Sequence, residues 1–131
     1  AESCTGGASA QRLTALPGVS AVYRGGVVSY WTSVKADVLG VPRALLDEYG
    51  AVSEQTARAM AQGVCRATGA EVGVSVTGVA GPDSDERGNP VGLVFLGLHT
   101  PDGTFCRRLD LGSRRRDRIH QGWKFQGLQA G

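Results

Sequence analysis

Three side chains in the first third of the chain are of the types that acyl chemistry needs: Ser20, Tyr30 and Lys35. The two histidines, His99 and His120, lie far along the chain, so a Ser-His-Asp triad is not on offer. A serine hydroxyl can instead be activated by a lysine, provided the amine is neutral. Burial and a neighbouring hydroxyl lower a lysine's pKa toward that state. Tyr30 ends a predicted strand and Lys35 lies one helical turn beyond, so the spacing lets both face one pocket. The plain alternative is that all three are structural or surface residues.

Three further segments have the composition of ligand loops. Ala1-Glu2-Ser3-Cys4-Thr5-Gly6-Gly7 leads into a helix. Small hydroxylated residues and glycines there expose backbone N–H groups, which together with the helix dipole make an anion site. Read plainly, the same residues form an N-cap turn. Thr77-Gly78-Val79-Ala80-Gly81-Pro82 follows a strand. Loops at strand C-termini are favoured ligand positions in α/β sheets, and glycines let the backbone approach a ligand closely. An ordinary connection has the same composition. Arg114 and Arg118, if helical, share a face and could clamp a phosphate; otherwise they belong to a solvated basic helix end.

These groups need elements to hold them. Ala8 to Leu16 reads as a short helix with Ala10, Leu13 and Leu16 on one face, ended by Pro17-Gly18. Gly26 to Tyr30 has the β-branched enrichment of a strand. Ser33 caps a helical turn carrying Val34, Val38 and Leu39, and Pro42 starts another helix running to Tyr49-Gly50. Ser53 to Thr68 is the clearest helix. Ser53 is its N-cap, Glu54 suits the dipole, and Ala57, Met60, Ala61, Val64 and Cys65 form an apolar stripe before Gly69. Glu71 to Thr77 alternates as a strand, and Val91 to His99 is a second. Pro101-Asp102-Gly103 is a hairpin turn, and Thr104 to Leu111 returns. An antiparallel pair beside helix-separated strands implies a mixed sheet with helices packed on it.

The 131 residues suit one domain, and 41% hydrophobic with 20% charged residues is ordinary for a globular chain. A net charge of +2 is too small to argue for nucleic acid or a membrane surface. The late bunch Arg107, Arg108, Arg114, Arg115, Arg116 and Arg118 reads as a solvated face or a local anion site. Cys4, Cys65 and Cys106 are scattered and odd in number, which argues against a disulfide framework and a zinc site and fits a reducing cytoplasm. No apolar run approaches membrane length and no signal peptide is visible. The chain opens at Ala1 directly on a motif, from which the loss of an upstream segment is expected.

Taken in order, these segments resemble the C-terminal (amidohydrolase) domain of the CinA family. The resemblance rests on AESCTGG at the start and LPGVSAVYRGGVVSY with the following Lys35. LGVP at 39–42, YGAVSE at 49–54, VSVTGVAGPD at 74–83 and GNPVGLVFLGL at 88–98 complete it. It covers nearly everything to Leu111, and the ordered set is far more specific than any single motif. The resemblance implies a three-layer α/β/α fold around a mixed β-sheet, with residues 1–131 forming a single domain. It also implies hydrolysis of the carboxamide of nicotinamide mononucleotide to nicotinate mononucleotide and ammonia, a reaction of pyridine nucleotide salvage. By the same resemblance Ser20 is the nucleophile, in the PG-x-S segment, with Tyr30 and Lys35 as its partners. Thr77 matches the hydroxylated residue before the second glycine loop, and Arg114 matches a late arginine in a GDR-type turn.

Ser3, Thr5, Gly6 and Arg114 are then expected at the phosphate and ribose, and Thr77, Gly78 and Gly81 beside the substrate. Either glycine loop can supply the oxyanion hole, and Tyr30 either relays the proton or holds the lysine. No metal or cofactor is needed. The expected partners are a small nucleotide and a second copy of the chain covering an open sheet edge, with no membrane and no direct nucleic-acid contact. Three departures stand out. The helix and strand that ordinarily precede AESC are absent, Trp31-Thr32-Ser33 replaces small, polar and acidic residues, and Ile119 to Gly131 lacks the apolar periodicity of a last helix. They support an alternative, a catalytically inactive nucleotide-binding or competence-related interaction module of the same fold.

Overall fold

The computed structural model describes residues 1–112. Arg114, Arg118 and the terminal stretch Ile119 to Gly131 lie outside the described residues. The elements in chain order are α1 (Ala8–Thr14), a 3-10 turn (Val19–Ala21), α2 (Thr32–Asp37), α3 (Arg43–Tyr49), α4 (Glu54–Thr68), β1 (Gly73–Gly78), β2 (Leu93–Thr100) and β3 (Gly103–Asp110). The strands form an antiparallel sheet in the order β1-β2-β3. Val76 pairs with Leu96, and Leu96 with Arg107. The β2–β3 ladder closes at Thr100 and Gly103, which leaves Pro101-Asp102 as the turn.

Among the described residues the sheet continues past β1 only through Glu2, which makes parallel bridges to Val76 on one side and Val28 on the other. The strand expected over Gly26–Tyr30 is therefore reduced to the single bridge at Val28. Its partner there is the short segment Ala1–Glu2, which bonds to it through Glu2 N–H to Val27 O (2.9 Å) and Ser29 N–H to Glu2 O (2.8 Å). Two backbone bonds cannot propagate a ladder. The mixed character of the sheet survives in these parallel bridges.

α4 packs across β1, β2 and β3. The predicted stripe Ala57, Met60, Ala61, Val64 and Cys65 is buried. Ser53 caps the helix by accepting from Thr56 N–H (3.1 Å), and Gly69 ends it with a left-handed φ of 74°. The approach of helix to sheet is close enough to need glycine: a Cβ on Gly97 would stand 2.4 Å from the Ala57 carbonyl oxygen. On its far side α4 packs with Leu39, Val41 and Leu46, which come from α3 and the chain between α2 and α3. On the opposite face of the sheet Val76 and Val94 cluster with Cys4, and Ser9, Ala10 and Leu13 of α1 border the same groove as Val74 and Val76. α2 begins at Thr32 with Trp31 as N-cap, so Ser33 lies inside the helix.

Candidate functional site

The chain Ala1–Ser3 runs beside the middle of β1, at Val74 and Val76, and then turns sharply into α1. What fixes that turn is a buried carboxylate. Glu2 is 4% exposed. Its Oε1 accepts from Thr5 Oγ1 (2.5 Å), Gly7 N–H (3.0 Å) and Ser9 N–H (3.1 Å), and Oε2 accepts from Ala10 N–H (2.9 Å). Burial pushes its pKa up, but the Thr5 hydroxyl and the three amides outweigh that and hold it below the usual carboxylate value. The anion expected at the start of α1 is thus the chain's own side chain. This corrects the phosphate reading of Thr5 and Gly6. Thr5 Oγ1 donates to Glu2, and Gly6 N–H donates to Ser3 O (3.0 Å). The sequence signal was an acid directly before a hydroxyl- and glycine-rich helix start.

Ser3, the next residue, points the other way. Its hydroxyl receives a hydrogen bond from Lys35 Nζ at 3.2 Å, and Nζ also donates to the Ser29 carbonyl at 2.6 Å. Ser29 is in turn fixed to the backbone of Glu2 through its N–H and Oγ. Lys35 is 1% exposed and has no carboxylate among these partners. Burial pushes its pKa from 10.5 down to about 8, with the Cys4 thiol opposing the shift. Trp31 does not disturb this arrangement: its side chain is exposed, and its carbonyl accepts from Lys35 N–H in the first turn of α2.

Ser3, Cys4, Tyr30 and Lys35 line a pocket of ≈260 Å3 together with Ala51, Val52, Thr77 to Gly81, Asp83 and Asp85. Thr77 is buried and donates to Ala51 O (2.8 Å), which ties the glycine loop to the chain leaving α3. Tyr30 and Lys35 therefore line one pocket, as their spacing suggested, and Ser3, Thr77, Gly78 and Gly81 line it with them. Ser20 is not. It sits exposed on the 3-10 turn that follows Pro17-Gly18 and is not among the residues of this pocket. The expected Ser20 nucleophile is corrected on that ground: the hydroxyl within reach of the buried amine is that of Ser3. Arg114 falls outside the described residues.

Chemically, the arrangement offers a buried hydroxyl next to a buried amine whose pKa is lowered to about 8. That is the requirement for serine activation without histidine. Among the described residues no group of three histidine, cysteine, aspartate or glutamate side chains could hold a metal ion, and no helix is long and apolar enough to cross a membrane.

The CinA C-terminal domain family matches residues 1–130. A CinA-like protein from Frankia casuarinae is 54% identical over 121 residues, 92% of this chain and 28% of that protein. Another, from a Synechococcus species, is 54% identical over 115 residues, 88% of this chain and 27% of that protein. The chain thus spans under a third of these curated relatives. Among solved structures, the competence/damage inducible protein CihA from Agrobacterium tumefaciens superposes with a TM-score of 0.84 at 42% identity, covering 90% of this chain and 72% of that one. A CinA superfamily protein from Enterobacter cloacae gives 0.91 at 29% identity, covering 98% and 76%.

Proposed function

The chain belongs to the CinA C-terminal domain family, and from that premise we propose that it is a cytoplasmic amidohydrolase converting nicotinamide mononucleotide to nicotinate mononucleotide and ammonia, with Ser3 as nucleophile and Lys35 as base. The observation that carries the chemistry is the 3.2 Å contact between Lys35 Nζ and Ser3 Oγ inside the pocket. The family resemblance supports the choice of substrate.

Neutral Lys35 takes the proton of Ser3 as Oγ bonds to the carboxamide carbon. The tetrahedral adduct collapses, the C–N bond breaks, and the proton on Lys35 passes to the departing nitrogen, releasing ammonia. Water, deprotonated by the same amine, then cleaves the acyl-serine ester to free nicotinate mononucleotide and restore Ser3. The Ser29 carbonyl holds Nζ so that its remaining valence faces Ser3. Tyr30, which lines the same pocket, relays a proton or contacts the ring in this reading.

Incubation of the full chain with nicotinamide mononucleotide, with ammonia and nicotinate mononucleotide measured together, tests the reading. Equimolar release of both is expected. Tight binding of the nucleotide with no release would favour a non-catalytic module of the same fold.

A further inference from the structure

The pocket that Ser3 and Lys35 line is also lined by Gly81, Asp83 and Asp85, which belong to a long connection between β1 and β2 with no regular structure. Its base is zipped: Val79 N–H donates to Leu93 O (2.9 Å) and Gly92 N–H to Val79 O (2.8 Å). Its tip is folded on Asp85, whose carboxylate accepts from Arg87 N–H (3.0 Å), Asn89 N–H (2.8 Å) and Asn89 Nδ2 (2.8 Å). These bonds shape the tip but do not attach it to the rest of the fold.

The attachment comes from Arg87. Its guanidinium donates to Glu48 O (3.0 Å), to Asp47 O and, at 3.5 Å, to Leu46 O, all carbonyls of the last turn of α3. Leu46 O already accepts from Gly50 N–H (2.8 Å), whereas Asp47 O and Glu48 O are acceptors of the kind a helix leaves unsatisfied at its C-terminus, where a cation is also favoured by the dipole. α3 has no basic residue of its own in that turn. The surface is also cut to fit the arginine. The next residue is Gly50, and a Cβ there would lie 2.6 Å from Arg87 Cδ and 2.7 Å from Nε. Immediately beyond, Ala51 and Val52 line the pocket, and Ala51 receives the Thr77 hydroxyl.

We propose that Arg87 is a positioning residue for this pocket: by binding the C-terminal carbonyls of α3 across Gly50, it holds the Asp83–Asn89 tip closed over the site and sets the affinity for substrate. This rests on the amidohydrolase reading for its kinetic consequence. Ser3 and Lys35 are held by other elements, the turn into α1 and α2. Opening the tip therefore lowers the fraction of binding-competent protein and leaves the reacting groups in place.

The test compares wild type, Arg87→Ala and Arg87→Lys in the full chain, by steady-state ammonia release from nicotinamide mononucleotide and by amide hydrogen exchange. Arg87→Ala should raise KM about three- to tenfold with kcat within about twofold, as expected when a closed state is depopulated. Amides of Asp83 to Asn89 should exchange faster while those of α4 keep their protection. Arg87→Lys, with a single charged head able to reach one or two carbonyls, should recover part of the loss. Unchanged KM with unchanged exchange in the tip would overturn the proposal, as would an Arg87→Ala variant that loses protection throughout α4. If wild type releases no ammonia, the amidohydrolase reading fails, and exchange at the tip alone decides whether Arg87 closes it.

Discussion

Glu2 and Lys35 stand on either side of Ser3, and both are ionisable groups shut away from water, yet the fold treats their charges in opposite ways. Glu2 receives four hydrogen bonds and is held ionised. Lys35 is offered a hydroxyl and a carbonyl, no carboxylate, and its charged form is disfavoured. Burial disfavours the charge of both; for Lys35 it prevails, whereas for Glu2 the four hydrogen bonds outweigh it. What decides is whether the surrounding dipoles are spent on the charge. The Glu2 region spends them, as an anchor does. The Lys35 region supplies only two, too few to offset burial, which leaves an amine able to accept a proton.

The sharpest way to break this contrast is to restore charge at the second site. Lys35→Arg keeps a cation that cannot serve as a base near neutral pH, so turnover should fall by at least about a thousandfold while the chain still folds. Near-normal turnover would mean that the lysine supplies only position or field. Lys35→Met removes the buried amine altogether. It should be as inactive, yet at least as stable as wild type at pH 7 by chemical denaturation, since an apolar side chain carries no desolvation penalty there.

A second set of expectations is read in pH. The Lys35 pKa in the fold, about 8, lies below its ordinary 10.5, so between those values the unfolded chain binds more protons. Its contribution to stability should therefore rise from pH 8 to 10.5 and stay at its lowest below 8. Lys35→Met should lose that slope. In kinetics, kcat/KM should climb through a limb near pH 8 as the amine becomes neutral. A limb near 6 or no limb at all would assign the base elsewhere.

Glu2 should answer in the opposite window. Its folded pKa is below the ordinary carboxylate value of 4.5, so its stabilisation is fully present above 4.5 and is lost as pH falls through the folded value. Glu2→Gln turns an NH2 donor toward amides that need an acceptor, and should cost about 1–3 kcal/mol in denaturant titrations. The pH position of the activity limb should remain where it is in wild type. A shift of that limb would show that the anchor and the base are electrostatically one unit.

Much of the scaffold was legible because its signals are local. Ser53, Gly69 and the apolar stripe between them defined α4, and alternation with Pro101-Asp102 defined the hairpin. Lys35, Tyr30 and the Thr77–Gly81 loop were legible from residue type and order. The missed parts depend on long-range pairing. Gly26–Tyr30 has strand composition but meets only Ala1–Glu2. Ser20 has the neighbours of a nucleophile, but Pro17-Gly18 turns it outward. Ser3 was read as part of an anion loop because the adjacent acid, Glu2, was not recognised as the anion that fills that loop, and the approach of Lys35 to Ser3 is a long-range contact.

The pairing of Ser3 with Lys35 is tested most directly by making Ser3→Ala and Ser20→Ala side by side and measuring ammonia release from nicotinamide mononucleotide, with circular dichroism to verify that both fold. Ser3→Ala should lose at least about a thousandfold in kcat, and Ser20→Ala should keep activity within about twofold of wild type. Loss of turnover in Ser20→Ala, with Ser3→Ala still active, would contradict the assignment of the nucleophile made from this geometry.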